Sequence, residues 1–422
     1  MAHEEAQHER QTHTRILTCA ACALILGAAL PAHADGDDGS FSEAIVNGRP
    51  ILDLRPRYNR IDESDKDERT VGWTYRAVLG WRTAPWMGLR FTVEGINTGH
   101  IGAKEYNDDG ALFATSEYPL LPDPSYTGLN QAHIEYTGIE NFRVRIGRQR
   151  VRMDNQRWIS DNDFRQIPQF FDGVQVANTS LRDTELLAAY YNRVRDTSGD
   201  TDDLKLTILH AAWSPLRGHS FAAYGYFHDQ PVNGAFTGFS NSSYRAVGVR
   251  AEGGFPVGGE FEIPYTLEYA RQKPYAGGNA LIDVDYWRAG GGLTWRDITL
   301  RYDEEVKGSN NGRYGLQMPL TDFYAFNGWT LHFFNTPFQG LHDKWVTLRA
   351  GYPPANLVLY AETHKFRSDF RDLDFGKETD VGLFWTFWEG AQLRLQHAAY
   401  DPGSGQVAPR IRKTWITLSY SY

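Results

Sequence analysis

The segment Thr414-Trp415-Ile416-Thr417-Leu418-Ser419-Tyr420-Ser421-Tyr422 constrains this chain more than any other. Its residues alternate with a period of two. Thr414, Ile416, Leu418, Tyr420 and Tyr422 share one face; Trp415, Thr417, Ser419 and Ser421 share the other. Successive Cβ atoms of a strand point to opposite faces of the sheet, so this period specifies a β-strand. A greasy, aromatic-ended face backed by small polar groups suits a strand with lipid on one side and water on the other. The last strand of a soluble sandwich is the plainer reading of the same pattern.

The alternation recurs from Pro50 onward. Val71, Trp73, Tyr75, Ala77, Leu79 and Trp81 oppose Gly72, Thr74, Arg76, Val78, Gly80 and Arg82. Leu89, Phe91 and Val93 oppose Arg90, Thr92 and Glu94; Phe142, Val144 and Ile146 oppose Arg143 and Arg145. Ile298, Leu300 and Tyr302 oppose Thr299, Arg301 and Asp303; Val346 and Leu348 oppose Thr347 and Arg349; Leu393 and Leu395 oppose Gln392, Arg394 and Gln396. The pattern blurs near 204–213, 219–227 and 244–252. In total it predicts about 18 strands, most near the length of a tilted transmembrane strand.

The connections carry separate information. Segments 62–69, 98–129, 147–171, 307–343, 367–377 and 401–411 are long. Between them lie short turns such as Thr83-Ala84-Pro85-Trp86, Gly138-Ile139-Glu140, Arg296-Asp297, Pro353-Pro354-Ala355-Asn356 and Glu389-Gly390. Alternating long and short connections are the rhythm of an up-and-down antiparallel barrel with short periplasmic turns, not of a Greek-key sandwich. The expected fold class is therefore all-β, a transmembrane barrel, with an even strand count placing both ends of the barrel on the periplasmic side. Trp73, Trp81, Trp287, Trp295, Trp385 and Phe387 fall where two interfacial aromatic girdles belong.

The expected organisation is a secretory signal over 1–34, a periplasmic lead-in over 35–49 and a barrel over 50–422. Arg10 and Arg15 precede an apolar run from Ile16 to Leu30, and Ala32-His33-Ala34 offers small residues for cleavage. That run is shorter than the roughly 20 residues of a membrane-spanning helix. Asp35 to Asn47, rich in Gly, Asp and Ser, reads as flexible. No second domain, plug or internal repeat is expected. The terminal strand also resembles the signal by which outer-membrane proteins are recognised for assembly, so the expected location is the bacterial outer membrane, among its lipids.

Both cysteines, Cys19 and Cys22, fall inside the signal. A mature chain without them has no disulfide, thiolate metal site or cysteine nucleophile. The net charge of −9 carries no nucleic-acid footprint. No cofactor or metal motif stands out, and Asn107-Asp108-Asp109 reads as solvated loop rather than a calcium site. The histidines are scattered without a serine partner, which argues against a hydrolase.

The densest chemistry lies in Gly147-Arg148-Gln149-Arg150-Val151-Arg152-Met153-Asp154-Asn155-Gln156-Arg157-Trp158-Ile159, followed by Phe170-Phe171-Asp172-Gly173-Val174. Guanidinium forks suit carboxylates, and side-chain amides suit sugar hydroxyls. By strand parity Arg57, Arg76, Arg90, Arg143, Arg145, Arg301, Arg349 and Arg394 point inward and would form a positive path. Inward Glu94, Glu135, Glu268, Asp303, Glu362 and Asp380 make the lumen mixed in sign. Each arginine can therefore line the pore or brace a carboxylate. Arg148, Arg150 and Arg157 can touch a solute or scaffold a loop folded inward. Asp154, Asn155, Gln156 and Asp172 are read as anchors of that loop.

The stretches GRQR, DNQRWI and FFDGV resemble the most characteristic part of the alginate-export family of outer-membrane barrels. Tyr324-Ala325-Phe326-Asn327-Gly328-Trp329, then Thr336-Pro337-Phe338-Gln339-Gly340-Leu341 and Asp343, resemble a second family segment. The resemblance implies passive, selective diffusion of an anionic polysaccharide through a basic lumen, by a monomer with room for periplasmic export partners. The alginate exporter has a long periplasmic plug loop, whereas the corresponding turn here is only Glu389-Gly390. A selective porin for acidic oligosaccharides or small organic anions, with uptake as one direction of transport, is the alternative; an adhesin is a weaker one.

Overall fold

The computed structural model describes residues 39–108, 116–230, 239 and 241–422. The expected signal over 1–34, the start of the lead-in and Asp109 lie outside the described residues. Among those described, eighteen strands form one antiparallel sheet in sequential order, and the first strand pairs with the last. The strands are β1 (Arg49–Glu63), β2 (Thr70–Arg82), β3 (Leu89–Glu105), β4 (Tyr126–Tyr136), β5 (Phe142–Gln149) and β6 (Phe170–Asn178). There follow β7 (Thr184–Arg195), β8 (Thr201–Trp213), β9 (His219–Asp229), β10 (Tyr244–Gly258), β11 (Phe261–Pro274) and β12 (Val284–Trp295). The last are β13 (Ile298–Lys307), β14 (Leu341–Tyr352), β15 (Leu357–Arg367), β16 (Asp374–Trp388), β17 (Ala391–Pro402) and β18 (Ile411–Ser421).

Closure is what a sheet in lipid requires. Hydrocarbon offers no hydrogen bond to an open edge, so every strand must pair on both sides. The seam joins Leu54 to Tyr420 and Arg57 to Thr417. Pro56, which has no N–H to donate, lies in the gap between these two pairs.

Strand parity sorts the side chains as the sequence requires. In β18, Trp415 and Thr417 are buried inside, while Ile416 and Leu418 are exposed on the outer wall. In β2, Thr74 and Arg76 are buried, while Trp73 and Leu79 face out. The outer wall also carries Ile146, Val249, Leu267, Leu300 and Leu348, with Trp213, Trp295, Trp385 and Trp388 among its exposed rings. These make the apolar band and its girdles.

Three expectations need correction. Connection 98–129 is shorter than predicted, because β3 continues to Glu105 and β4 begins at Tyr126. The lead-in is not wholly irregular. A short helix, α1 (Phe41–Val46), is closed by a capping box between Ser40 and Glu43. It docks on the first periplasmic turn, where Phe41 meets Trp86 and Phe91, and Trp81 Nε1 donates to Ile45 O at 3.0 Å. Finally, the lumen does contain a plug. It is built from connections 150–169 and 308–340, both folded inward.

That plug explains the blurred strands. Leu204, Leu206 and Ile208 of β8, Tyr224 and Tyr226 of β9, and Ala246 of β10 are buried on the inner face. They pack with Val151, Met153, Trp158 and Ile159 of one loop and Tyr314, Leu316, Met318 and Leu320 of the other. A strand greasy on both faces loses its period of two.

The outer wall yields a first prediction. Leu348 is lipid-facing while its neighbour Arg349 points inward. Leu348→Arg is expected to destabilise the inserted barrel by about 2–4 kcal/mol. Denaturant titration of protein refolded into vesicles reads this directly.

Candidate functional site: the arginine-lined lumen

The first loop is held against the β1–β2 wall by a basic column. Arg55 and Arg57 of β1 and Arg76 of β2 project inward and are buried. Asp163 of the loop meets Arg55 Nη2 at 3.2 Å and Arg76 Nη1 at 2.9 Å. Asp53 takes Arg76 Nε at 2.8 Å, and Phe164 O accepts from Arg57 Nη2 at 2.8 Å. From the loop's own side, Asp161 takes Arg150 Nη1 at 3.1 Å and Arg152 Nε at 2.8 Å. Burial alone would raise the Asp163 carboxyl. Arg55, Arg76, Arg150 and Arg152 outweigh it and hold that carboxyl well below the usual range.

The far end of the loop is pinned to the opposite wall. Arg157, almost fully buried, gives Nε to Glu305 Oε1 at 2.8 Å and Nη2 to Asn327 Oδ1 at 2.8 Å. Asn327 in turn donates to Glu305 Oε2 at 2.8 Å and to Asp343 Oδ2 at 3.1 Å. Trp158 Nε1 donates to Glu268 Oε1 at 3.1 Å, within a cage of Tyr224, Tyr226 and Tyr286.

The two loops also join each other. Ser160 N donates to Leu320 O at 2.8 Å and Asn162 Nδ2 to Thr321 O at 2.7 Å. Phe164 stacks on Tyr324 with ring centroids 3.6 Å apart, and Trp415 of β18 lies edge-on to both. The lumen is thus crossed by a continuous two-loop bridge.

Beneath that bridge lies a cavity of about 550 Å³. Arg82, Arg90, Arg145, Arg150 and Arg152 line it, against the carboxylates Glu94 and Glu135. Gln131, His133 and Gln175 add hydrogen-bonding groups. Glu135 is shared by Arg145 at 2.7 Å and Arg90 at 3.3 Å, and Glu94 is occupied by Asn130 and Gln131. Arg82 is exposed in the lumen with no ion pair among the described residues. The cavity has the size of a small-molecule site and is electropositive.

The predicted residues divide accordingly. Arg90, Arg145 and Arg150 face the cavity. Arg143 points inward near Glu185, 3.7 Å away. Arg349 is exposed and makes no ion pair among the described residues; Arg394 hydrogen-bonds Gln392. Arg57, Arg76 and Arg157 are buried braces. Arg301 is bound to Asp303 at 2.6 Å, together with Arg288.

Arg148 is not in the lumen. It stands on the outer face with Ile146, paired across β5–β6 with Asp172 at 2.7 and 2.8 Å. The physical reason is that β5 continues through Gly147 to Gln149, so its alternation continues too. Asp172 accordingly braces two strands and anchors no loop. Gly147 has a φ of 121°, and a Cβ there would lie 2.3 Å from Ala132 O, so glycine is required.

The remaining predicted anchors act within the loop. Asp154 Oδ1 meets His210 Nε2 of β8 at 2.9 Å. Asn155 Oδ1 accepts from Arg157 N at 3.1 Å. Gln156 Oε1 accepts from Ser160 Oγ at 3.0 Å, and Gln156 O accepts from Asp322 N at 3.0 Å. Sequence reasoning left out Arg55, Arg82, Arg152, Asp161 and Asp163. Parity already put Arg82 on the face of Arg76; nothing local marks the two aspartates as receivers of distant arginines.

Two outcomes follow for this latch. A depressed pKa stabilises the folded loop above the unfolded value of about 3.9, and that contribution is lost only as pH falls through the depressed pKa. Asp163 titration should therefore leave loop protection unchanged between pH 5 and 8. Asp163→Asn removes the charge and is expected to loosen 150–169 by about 1–3 kcal/mol, read as faster amide hydrogen exchange there.

The comparisons agree with this geometry. OpdO of Pseudomonas aeruginosa is 14% identical, with a TM-score of 0.69 over 91% of this chain and 99% of that one. OccK9 (OpdG) of Pseudomonas aeruginosa is 15% identical, with a TM-score of 0.69 over 90% and 99%. OccAB2 of Acinetobacter baumannii is 15% identical, with a TM-score of 0.68 over 90% and 99%. At such identity these crystal structures establish the fold. A comparison with curated proteins gives no match. Residues 58–308 match the family described as Alginate export. The chain belongs to the alginate-export family, as an outer-membrane β-barrel of the porin-like kind.

Proposed function

We propose that this protein is an outer-membrane channel for passive, selective diffusion of anionic saccharides, uronate-bearing chains above all. The observation that carries the reading is the cavity beneath the bridge, where five guanidinium groups converge: Arg90 and Arg145 share the single carboxylate of Glu135, Arg150 and Arg152 share Asp161, and Arg82 has no ion pair among the described residues. Guanidinium forks match carboxylates, and the amides of Gln131 and Gln175 match hydroxyls. A low-dielectric wall focuses the positive potential onto the path. Several weak sites let a solute leave as readily as it arrives. Nothing in this path requires covalent chemistry. The signal over 1–34, with cleavage near Ala34, belongs to the same reading.

A second reading concerns length. The Phe164–Tyr324 stack and the backbone bonds beside it cross the lumen, which favours short acidic oligosaccharides or small organic anions over a long polymer. Export of a polymer through this barrel would require the two loops to part.

Planar-bilayer recording tests both readings. Anion-selective current blocked by oligouronates is expected, with block by long polyuronate weaker than block by short oligomers. Cation-selective current, or indifference to uronates, would sink the proposal. Arg82→Glu and Arg349→Glu are expected to lower the anion-to-cation permeability ratio about two- to fivefold each, since an exposed charge contributes on the order of 0.5–1 kcal/mol.

A further inference from the structure

On the wall opposite the cavity, β14, β15 and β16 turn four carboxylates toward one imidazole. Asp343, Glu362, Glu378 and Asp380 surround His364, and Asp343, His364, Glu378 and Asp380 are all buried. Among the described residues no lysine or arginine forms an ion pair with any of these carboxylates. Burying several like charges without a cation is costly, so this cluster needs a positive partner.

Hydrogen bonds show where that partner belongs. His364 Nδ1 is 3.0 Å from Asp343 Oδ1 and 3.1 Å from Asp343 Oδ2, where it donates its proton. Nε2, on the other side of the ring, is buried and has no hydrogen-bond partner; with the proton on Nδ1 it offers a lone pair to a metal. It points between Glu362 Oε2 at 3.5 Å and Asp380 Oδ2 at 3.9 Å. A positive charge belongs between that nitrogen and the two carboxylates, supplied either by a proton on Nε2 or by a metal ion that takes its place.

The other oxygens of the cluster are engaged. Glu362 Oε1 accepts from Thr347 Oγ1 at 2.7 Å and from Tyr360 Oη. Glu378 takes Thr330 N and Thr330 Oγ1, both at 2.6 Å. Asp380 Oδ2 takes Trp329 N at 3.2 Å, whereas Asp380 Oδ1 is buried and unpartnered. The unpartnered His364 Nε2 thus faces Glu362 Oε2 and the Asp380 carboxylate together.

We propose that Glu362, His364 and Asp380 bind a divalent transition-metal ion of the zinc class. One ligand atom from each lies within 4.8 Å of the others. Zinc ligands about 2.0–2.2 Å from the ion stand roughly 3.3–3.6 Å apart in a tetrahedron, so modest side-chain movement closes the set. Imidazole favours zinc over calcium or magnesium. Asp343 behind the imidazole is the outer carboxylate that orients a metal-binding histidine.

The ion has a structural role. Trp329 and Thr330, which bond Asp380 and Glu378, belong to the loop that forms half of the bridge. A bound cation fixes the wall that holds them, whichever solute passes.

The test uses the full chain without a histidine tag, refolded from urea with zinc, desalted and analysed for metal. About one zinc per folded chain is expected, with calcium and magnesium failing to displace it. His364→Phe keeps the ring stacked between Trp345 and Phe366 and is expected to lose the zinc while retaining the heat-modifiable gel mobility of a folded barrel. Should that variant not fold, Asp380→Asn serves in its place with the same expectation. Asp343→Asn should weaken binding about 10- to 100-fold. A folded wild type without zinc, or folded His364→Phe and Asp380→Asn variants that hold as much as wild type, would overturn the assignment.

Discussion

The interior depends on one buried ion pair, Arg157 with Glu305. Arg157 comes from the first inward loop, Glu305 from β13, and Asn327 of the second inward loop bonds both. Removing any member leaves a desolvated charge or amide without its partner, which is what makes a buried polar node strongly specific. Around it the aromatic cage of Trp158 and the Phe164–Tyr324 stack supply apolar burial that neither loop could obtain alone. The barrel provides the wall; this node joins both inward loops to it.

The distribution of charge follows from the same arrangement. A count of inward arginines suggests a uniformly basic bore. Most of that charge is instead consumed by the plug and the walls: Arg55 and Arg76 by Asp163, Arg157 by Glu305, Arg250 by Glu268, and Arg288 and Arg301 by Asp303. Beneath the bridge Arg90 and Arg145 share Glu135 and Arg150 and Arg152 share Asp161, while exposed Arg82 and Arg349 have no ion pair among the described residues. The exposed and half-exposed arginines are the ones a passing solute can reach, and the fully buried ones stiffen the walls and the plug.

Much of this was legible in the residues. Trp415 and Thr417 facing in and Ile416 and Leu418 facing out follow from alternation alone, because the strand period is two whatever the neighbours do. The long and short connections followed from the same count. β8 to β10 resisted because their inner faces carry apolar and aromatic residues, among them Leu206, Tyr226 and Ala246, that pack with Trp158, Leu316 and Leu320, and a local pattern cannot report a distant loop. Arg148 was misplaced because β5 runs on beyond the point where the loop was expected to begin.

The amino-acid sequence by itself determined the barrel, its strand parity and the family, since each rests on local periodicity or on contiguous motifs. Only the tertiary structure decided that the two family motifs meet at Arg157 and Asn327, and that Asp163 collects arginines from β1 and β2. It alone brought His364, Glu362 and Asp380 to one point. These are pairings between side chains far apart along the chain, and the energy that selects them exists only once the closed sheet has excluded water from between them.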